Sequence, residues 1–181
     1  MMQIRINFAS DNDIILPIHY NNIIQAFIYN NIDETLSSFL HNRGYESNGR
    51  SFKLFTFSRI LNRGRKQNGK FNFGKKIELI VSSPLDDFCK SIANSMLQRD
   101  NLFLGENSIK TNQIQVSNPI IDRNEITIKA LSPIVIYSTL LRPDGRKYTC
   151  YFMPCEPDFD RIISRNLVKK YNALNNTDIR F

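Results

Sequence analysis

With 181 residues, 41% hydrophobic and 23% charged, the chain is long enough for one large domain or two small ones and too apolar for a disordered tail. Lys and Arg number 24 against 17 Asp and Glu, and the net charge of +7 favours nucleic acid or another anionic partner. No apolar run approaches the roughly 20 residues that span a bilayer, and Met1 to Ser10 alternates charged and apolar residues where a signal peptide is unbroken, so a cytoplasmic chain with no membrane partner is expected.

Gln3 to Phe8 alternates polar and apolar with Ile4, Ile6 and Phe8 on one face, which predicts a half-buried strand. After Pro17, Ile23, Ile24, Phe27 and Ile28 follow helical spacing, and Leu36, Phe39 and Leu40 continue it. Between these sets lies Asn30-Asn31-Ile32-Asp33: poor helix formers, then an Asp able to cap a second helix. Phe55 to Leu61 predicts a strand, Asn62 to Lys70 a polar turn and Lys76 to Ser82 another strand. Ser83-Pro84 predicts a helix start, with serine as N-cap, proline at the first helical position and Asp86 and Asp87 in the first turn. Leu85, Phe88, Cys89, Ile92, Ala93, Met96 and Leu97 form the apolar stripe of that helix. Ile109 to Val116 predicts a weaker strand. The order β-α-β-β-α-β gives an α+β, ferredoxin-like unit over residues 1–119, an arrangement shared with RNA-recognition modules.

Asn118-Pro119 punctuates the chain, and residues 120–181 are expected to form a second, incomplete ferredoxin-like unit. Glu125 to Ser138 predicts a long strand bent at Ser132-Pro133, Pro143-Asp144-Gly145 a turn, and Lys147 to Phe152 the returning strand. From Pro157, the residues Phe159, Ile162, Ile163, Leu167, Val168 and Tyr171 share one helical face. Asp178 to Phe181 reads as the start of a further strand, so a shortened form of a longer protein is expected.

Three polar side chains sit in apolar surroundings: Tyr29 in Phe27-Ile28-Tyr29-Asn30, His41 after Phe39-Leu40, and Lys53 before Leu54-Phe55-Thr56-Phe57-Ser58. A phenol, an imidazole and an ammonium can move protons and hold negative charge at a phosphate without a metal. On one unbroken helix, Tyr29 and His41 would lie roughly 18 Å apart along the axis and about 120° apart around it, so a shared site requires the break at residues 30–33. Cys89 belongs to the core of its helix, while Cys150 and Cys155 have no nearby His or Cys to complete a zinc site, and no metal or cofactor is expected. Arg63, Arg65, Lys66 and Lys70, with Lys75 and Lys76 nearby, concentrate positive charge that could track RNA phosphates or simply be solvated.

Leu16-Pro17-Ile18-His19-Tyr20-Asn21, Phe27-Ile28-Tyr29-Asn30, Phe39-Leu40-His41, Lys53-Leu54-Phe55-Thr56-Phe57-Ser58, Leu131-Ser132-Pro133-Ile134 and Asn166-Leu167-Val168-Lys169-Lys170-Tyr171 occur in this order. In these six motifs the chain resembles the CRISPR-associated endoribonucleases that cut precursor CRISPR RNA within its repeats. That family has two ferredoxin-like units and a glycine-rich loop near its C-terminus, which this chain lacks. The resemblance implies that Tyr29, His41 and Lys53 form the active site. It also implies attack of an RNA 2′-hydroxyl on its own 3′-phosphate, giving a 2′,3′-cyclic phosphate and a 5′-hydroxyl. CRISPR repeat RNA is the implied partner, with other CRISPR effector proteins and a second copy of the chain as further ones, in a role in antiviral defence. The assignment of acid and base between His41 and Tyr29 stays open. So do the alternatives. His41 at a helix end can serve as a cap in a non-catalytic RNA-binding or scaffolding module. Tyr29 can be a core-rim residue and Lys53 a solvated one, and His19 is expected to be structural.

Overall fold

The computed structural model describes residues 1–180. The alternation expected near the N-terminus builds β1 (Met2–Ala9), with Ile4 and Ile6 wholly buried and Phe8 nearly so. A three-residue strand, β2 (Ile15–Pro17), precedes α1 (Asn21–Asn30) and α2 (Glu34–Asn42). Then come β3 (Tyr45–Ser47), β4 (Arg50–Phe52), β5 (Thr56–Phe57), β6 (Arg65–Gln67), β7 (Lys70–Asn72) and β8 (Lys76–Ser83). The chain continues through α3 (Asp86–Gln98), β9 (Leu102–Leu104), β10 (Asn107–Ser117), β11 (Ile136–Leu141), β12 (Lys147–Phe152) and α4 (Pro157–Asn175). No helix among the described residues is long and apolar enough to cross a membrane.

Two compact units emerge: Met1–Gly44 with Lys53–Ile128, and Tyr45–Phe52 with the chain from Lys129 onward. In the first, an antiparallel sheet runs β5-β8-β1-β10-β9. Taking β1, β5, β8 and β10 as the four strands of a ferredoxin-like unit, this is the spatial order second-third-first-fourth, extended by β9. Ile4, Ile6 and Phe8 of β1 stand opposite Val81, Leu79 and Ile77 of β8. The register therefore places one apolar face beneath the helices, where Phe27 of α1 meets Phe8 edge-on at 5.5 Å. The opposite face carries Gln3, Arg5 and Asn7, flanked by Ser82, Ile80 and Glu78 of β8 and by Ser117, Gln115 and Gln113 of β10. None of these is an aromatic ring on which a base could stack; the one exposed ring on this face among the described residues of the sheet is Phe103, at the β9 edge opposite Ser108.

Several expectations need correction. The strand foreseen over Phe55 to Leu61 is only Thr56–Phe57. Beyond it the Ser58 hydroxyl, rather than a backbone carbonyl, accepts from the Ile80 N–H at 3.0 Å, which ends the regular ladder. The turn over Asn62 to Lys70 contains a hairpin: β6 and β7 pair around Asn68-Gly69, both at positive φ, and β2 joins them in a three-stranded sheet. Ser83 is not the N-cap of α3, which starts at Asp86 with Leu85 in extended backbone before it. The Ser83 hydroxyl instead donates to the Leu54 carbonyl and accepts from the Leu85 N–H. The apolar stripe of α3 is otherwise as read, with Phe88, Cys89, Ile92 and Met96 buried, but Leu97 is 71% exposed.

In the second unit, β11 and β12 form a hairpin in register from Ile136/Phe152 to Leu141/Lys147, closed by Gly145 at φ 79°. The long strand foreseen from Glu125 is confined to Ile136–Leu141, because its partner β12 ends at Phe152, two residues before Pro154. The β3–β4 hairpin groups with α4 in this unit. Leu167 and Tyr171 of α4 are 60% and 53% exposed, since two short hairpins offer too little apolar surface to cover the whole stripe. Asp178 to Arg180 form no strand, and Phe181 lies outside the described residues.

Candidate active site

Asn31 breaks the helical run. Its buried side chain donates to the Phe27 carbonyl at 2.8 Å and accepts from Arg99, whose guanidinium also meets the Asn30 carbonyl. Asp33 then caps α2, its carboxylate accepting from the Leu36 N–H at 3.1 Å, while its own N–H donates to the Ser91 hydroxyl of α3. The Ser37 hydroxyl donates to the Tyr29 carbonyl at 3.0 Å and ties the second helix back against the first. This reversal brings the Tyr29 and His41 rings to 6.0 Å between centroids, edge to face at 80°. Both line a cleft of about 470 Å³ between α1 and α2, with Gln25, Asn30, Ser37 and Asn42.

His41 lies in the last turn of α2 and is exposed. Its Nδ1 stands 3.1 Å from Asn42 Oδ1. The carbonyls of that turn have other partners. Arg43 and Gly44 N–H groups both donate to the Phe39 carbonyl, Gly44 being at φ 73°, and Lys53 Nζ donates to the His41 carbonyl at 3.1 Å. Capping of α2 therefore falls to a glycine turn and to Lys53, leaving the imidazole available to the cleft. Lys53 is not among the cleft-lining residues; it sits beside His41 and contacts its backbone.

Tyr29 is partly buried, and burial raises its phenol above the ordinary value of 10.0, opposed by a hydrogen bond with Gln25. The phenol is therefore protonated throughout the neutral range. Phe55 holds the ring from the other side, meeting Tyr29 edge-on at 5.6 Å and stacking on Phe88 at 4.9 Å. Phe55, Asn42, Gln25 and Ser37 were not singled out from the sequence. Only Asn42 carried a local signal, as the polar neighbour of His41; the others are recognisable only once the two helices fold back on each other. Among the described residues no three His, Cys, Asp or Glu side chains converge as a metal site would need.

The basic residues divide differently. Alternation along β6 and β7 sets Arg65 and Lys70 on one face of the hairpin and Lys66 on the other, beside Phe71. Arg63 precedes the hairpin, Lys75 follows it, and Lys76 opens β8. All six are exposed, and none forms an ion pair among the described residues. His19 is also exposed, and its neighbour Tyr20 is buried against Phe71 and Phe73.

Residues 15–121 match the family model for the N-terminal part of CRISPR-associated protein Cas6, and residues 116–181 match its C-terminal part. The chain is 28% identical over 180 positions to CRISPR-associated endoribonuclease Cas6 1 of Methanocaldococcus jannaschii, spanning 97% of this chain and 67% of that protein. Among solved structures, a CRISPR-associated Cas6 protein is similar with a TM-score of 0.71 and 26% identity over 98% of this chain and 73% of its own. A Cas6-related protein from Pyrococcus furiosus, at 20% identity and a TM-score of 0.72 over 99% of this chain and 73% of its own, shares the fold. So does a RAMP protein described as binding different RNA substrates, at 22% and 0.69 over 99% and 74%. With the N-terminal family model covering more than half of its length and the C-terminal model the remainder, the chain belongs to the CRISPR-associated Cas6 family.

Proposed function

We propose that this protein is a metal-independent endoribonuclease that cuts precursor CRISPR RNA within its repeats. The observation that carries this reading is the folding back of α2 on α1, which sets the Tyr29 and His41 rings 6.0 Å apart with Lys53 anchored at the His41 carbonyl. Membership of a family with an endoribonuclease member supports the substrate class.

The cleft geometry suggests the following division of labour. The tautomer with Nδ1–H donating to Asn42 Oδ1 leaves a lone pair on Nε2, suited to accept the proton of the attacking 2′-hydroxyl. Tyr29, kept protonated by burial, suits a donor to the phosphate or to the leaving 5′-oxygen rather than a base. The Lys53 ammonium uses one of its three N–H groups on the His41 carbonyl and has two left for the charge that builds on the phosphate oxygens. The 2′-oxygen bonds to phosphorus as the bond to the 5′-oxygen breaks, leaving a 2′,3′-cyclic phosphate and a 5′-hydroxyl. The basic hairpin, with Arg63, Arg65, Lys66, Lys70, Lys75 and Lys76, would hold the RNA backbone.

Repeat RNA carrying a single 2′-deoxynucleotide on the 5′ side of the cut should bind normally and remain intact, whereas chelator should leave cleavage of the unmodified RNA unchanged. Cleavage of the deoxy substrate, or loss of cleavage in chelator, would overturn the mechanism.

A further inference from the structure

Leu54 stands between Lys53 and Phe55 in left-handed backbone, φ 53°, a conformation that a leucine adopts only when its surroundings impose it. Two neighbours depend on this bend. Lys53 reaches the His41 carbonyl, and Phe55 braces the Tyr29 ring. The β5–β8 ladder ends at Thr56 opposite Ser82. Continued by two residues, it would set Leu54 against Pro84, which has no N–H to offer. The Ser83 hydroxyl supplies the missing donor, bonding to the Leu54 carbonyl at 2.8 Å, and its oxygen accepts from the Leu85 N–H at 3.0 Å. Ser83 is 1% exposed, so water cannot substitute for it.

We infer that Ser83 is a positioning residue for the proposed cleavage: it holds Leu54 in the left-handed bend that delivers Lys53 and Phe55 to the active site. This rests on the endoribonuclease reading for its activity prediction, but not for its structural one. The Ser83 oxygen accepts from the Leu85 N–H, ahead of the first turn of α3, so the serine that reads as a helix cap does not cap the helix. Its donor is committed to a segment 29 residues earlier in the chain.

Two consequences separate this role from ordinary stabilisation. Ser83→Ala should slow single-turnover cleavage at saturating RNA by about 10²-fold, the scale of a misplacement of about 1 Å, with RNA affinity changed less than about twofold. Leu54→Asn, which tolerates left-handed backbone, should restore most of that rate in the Ser83→Ala background, while Leu54→Val alone should reproduce the defect. The Tyr29 ring resonances, which feel the Phe55 ring, should move in Ser83→Ala and return in Ser83→Ala/Leu54→Asn. If the parent protein leaves repeat RNA intact, the endoribonuclease reading fails and the Tyr29 resonances alone decide the present inference. Unmoved resonances in folded Ser83→Ala, or a lost rate that Leu54→Asn does not restore, would show that Ser83 merely closes the end of the sheet.

Discussion

The cleft between α1 and α2 and the basic hairpin of β6 and β7 are built on opposite terms. At the cleft, the residues that frame the site are fixed by others: Asn31 by Arg99, Asp33 by Leu36 and Ser91, Tyr29 by Phe55, and the end of α2 by Lys53 and Gly44. The six cations of the hairpin region are exposed and without ion pairs among the described residues. Chemistry at one phosphate needs a few groups held in place, whereas attraction to a polyanion needs charge in quantity and tolerates motion. Damage to the cleft should therefore appear in the rate, and damage to the hairpin in affinity and its salt dependence.

The sharpest way to break that contrast is Lys53→Ala. Loss of one charge-stabilising donor is expected to slow single-turnover cleavage by about 10²–10³-fold with little change in RNA affinity. A defect confined to affinity would move Lys53 into the same class as the hairpin. Replacing Arg63, Arg65 and Lys66 together with alanine should do the reverse. Each contact to single-stranded RNA contributes about 0.7 to the slope of log affinity against log salt, so removing three should flatten it by about 2 while the rate of bound RNA is kept. An unchanged slope in a filter-binding salt series would make the hairpin a solvated surface. Asp33→Ala should cost about 1 kcal/mol of stability, the scale of an N-cap, read from the denaturation midpoint. It should slow cleavage by less than Lys53→Ala, because Ser37 and Arg99 still hold the helix junction. The smallest effect concerns pH. Burial holds the Tyr29 phenol above 10, so the stabilisation from its neutral form is complete below pH 10 and lost as pH rises through the folded value. The parent and Tyr29→Phe should therefore differ in the pH dependence of stability only above pH 10; a divergence already at pH 8 would contradict this.

The sequence made the long periodic elements legible because their burial is one-sided. The alternation of β1 and the stripe of α3 each report a single apolar face, and the break at Asn30 to Asp33 follows from local capping chemistry. The three-residue strands β2, β6 and β7 were not legible, since no periodicity develops over so short a run and their pairing joins residues far apart, such as Leu16 and Phe71. Ser83 misled because its oxygen accepts from the Leu85 N–H, ahead of the first helical turn, while its O–H donates to the Leu54 carbonyl, a partner that only the tertiary structure brings within reach. The pairing of Tyr29 with His41 was inferable as a requirement of the proposed chemistry. The anchoring of Lys53 on the His41 carbonyl was not, because a lysine before a strand carries no signal of where its ammonium lands.

The chemistry proposed for the cleft turns on proton transfer by the His41 imidazole, with the helix end capped by other groups. Its most direct test compares His41→Ala with the parent in single-turnover cleavage of repeat RNA at saturating protein in EDTA. His41→Ala should be slower by about 10²–10⁴-fold, with RNA affinity and folding stability close to those of the parent. Cleavage at the parental rate would show that the imidazole takes no part in the chemistry, and the active site proposed here would be wrong.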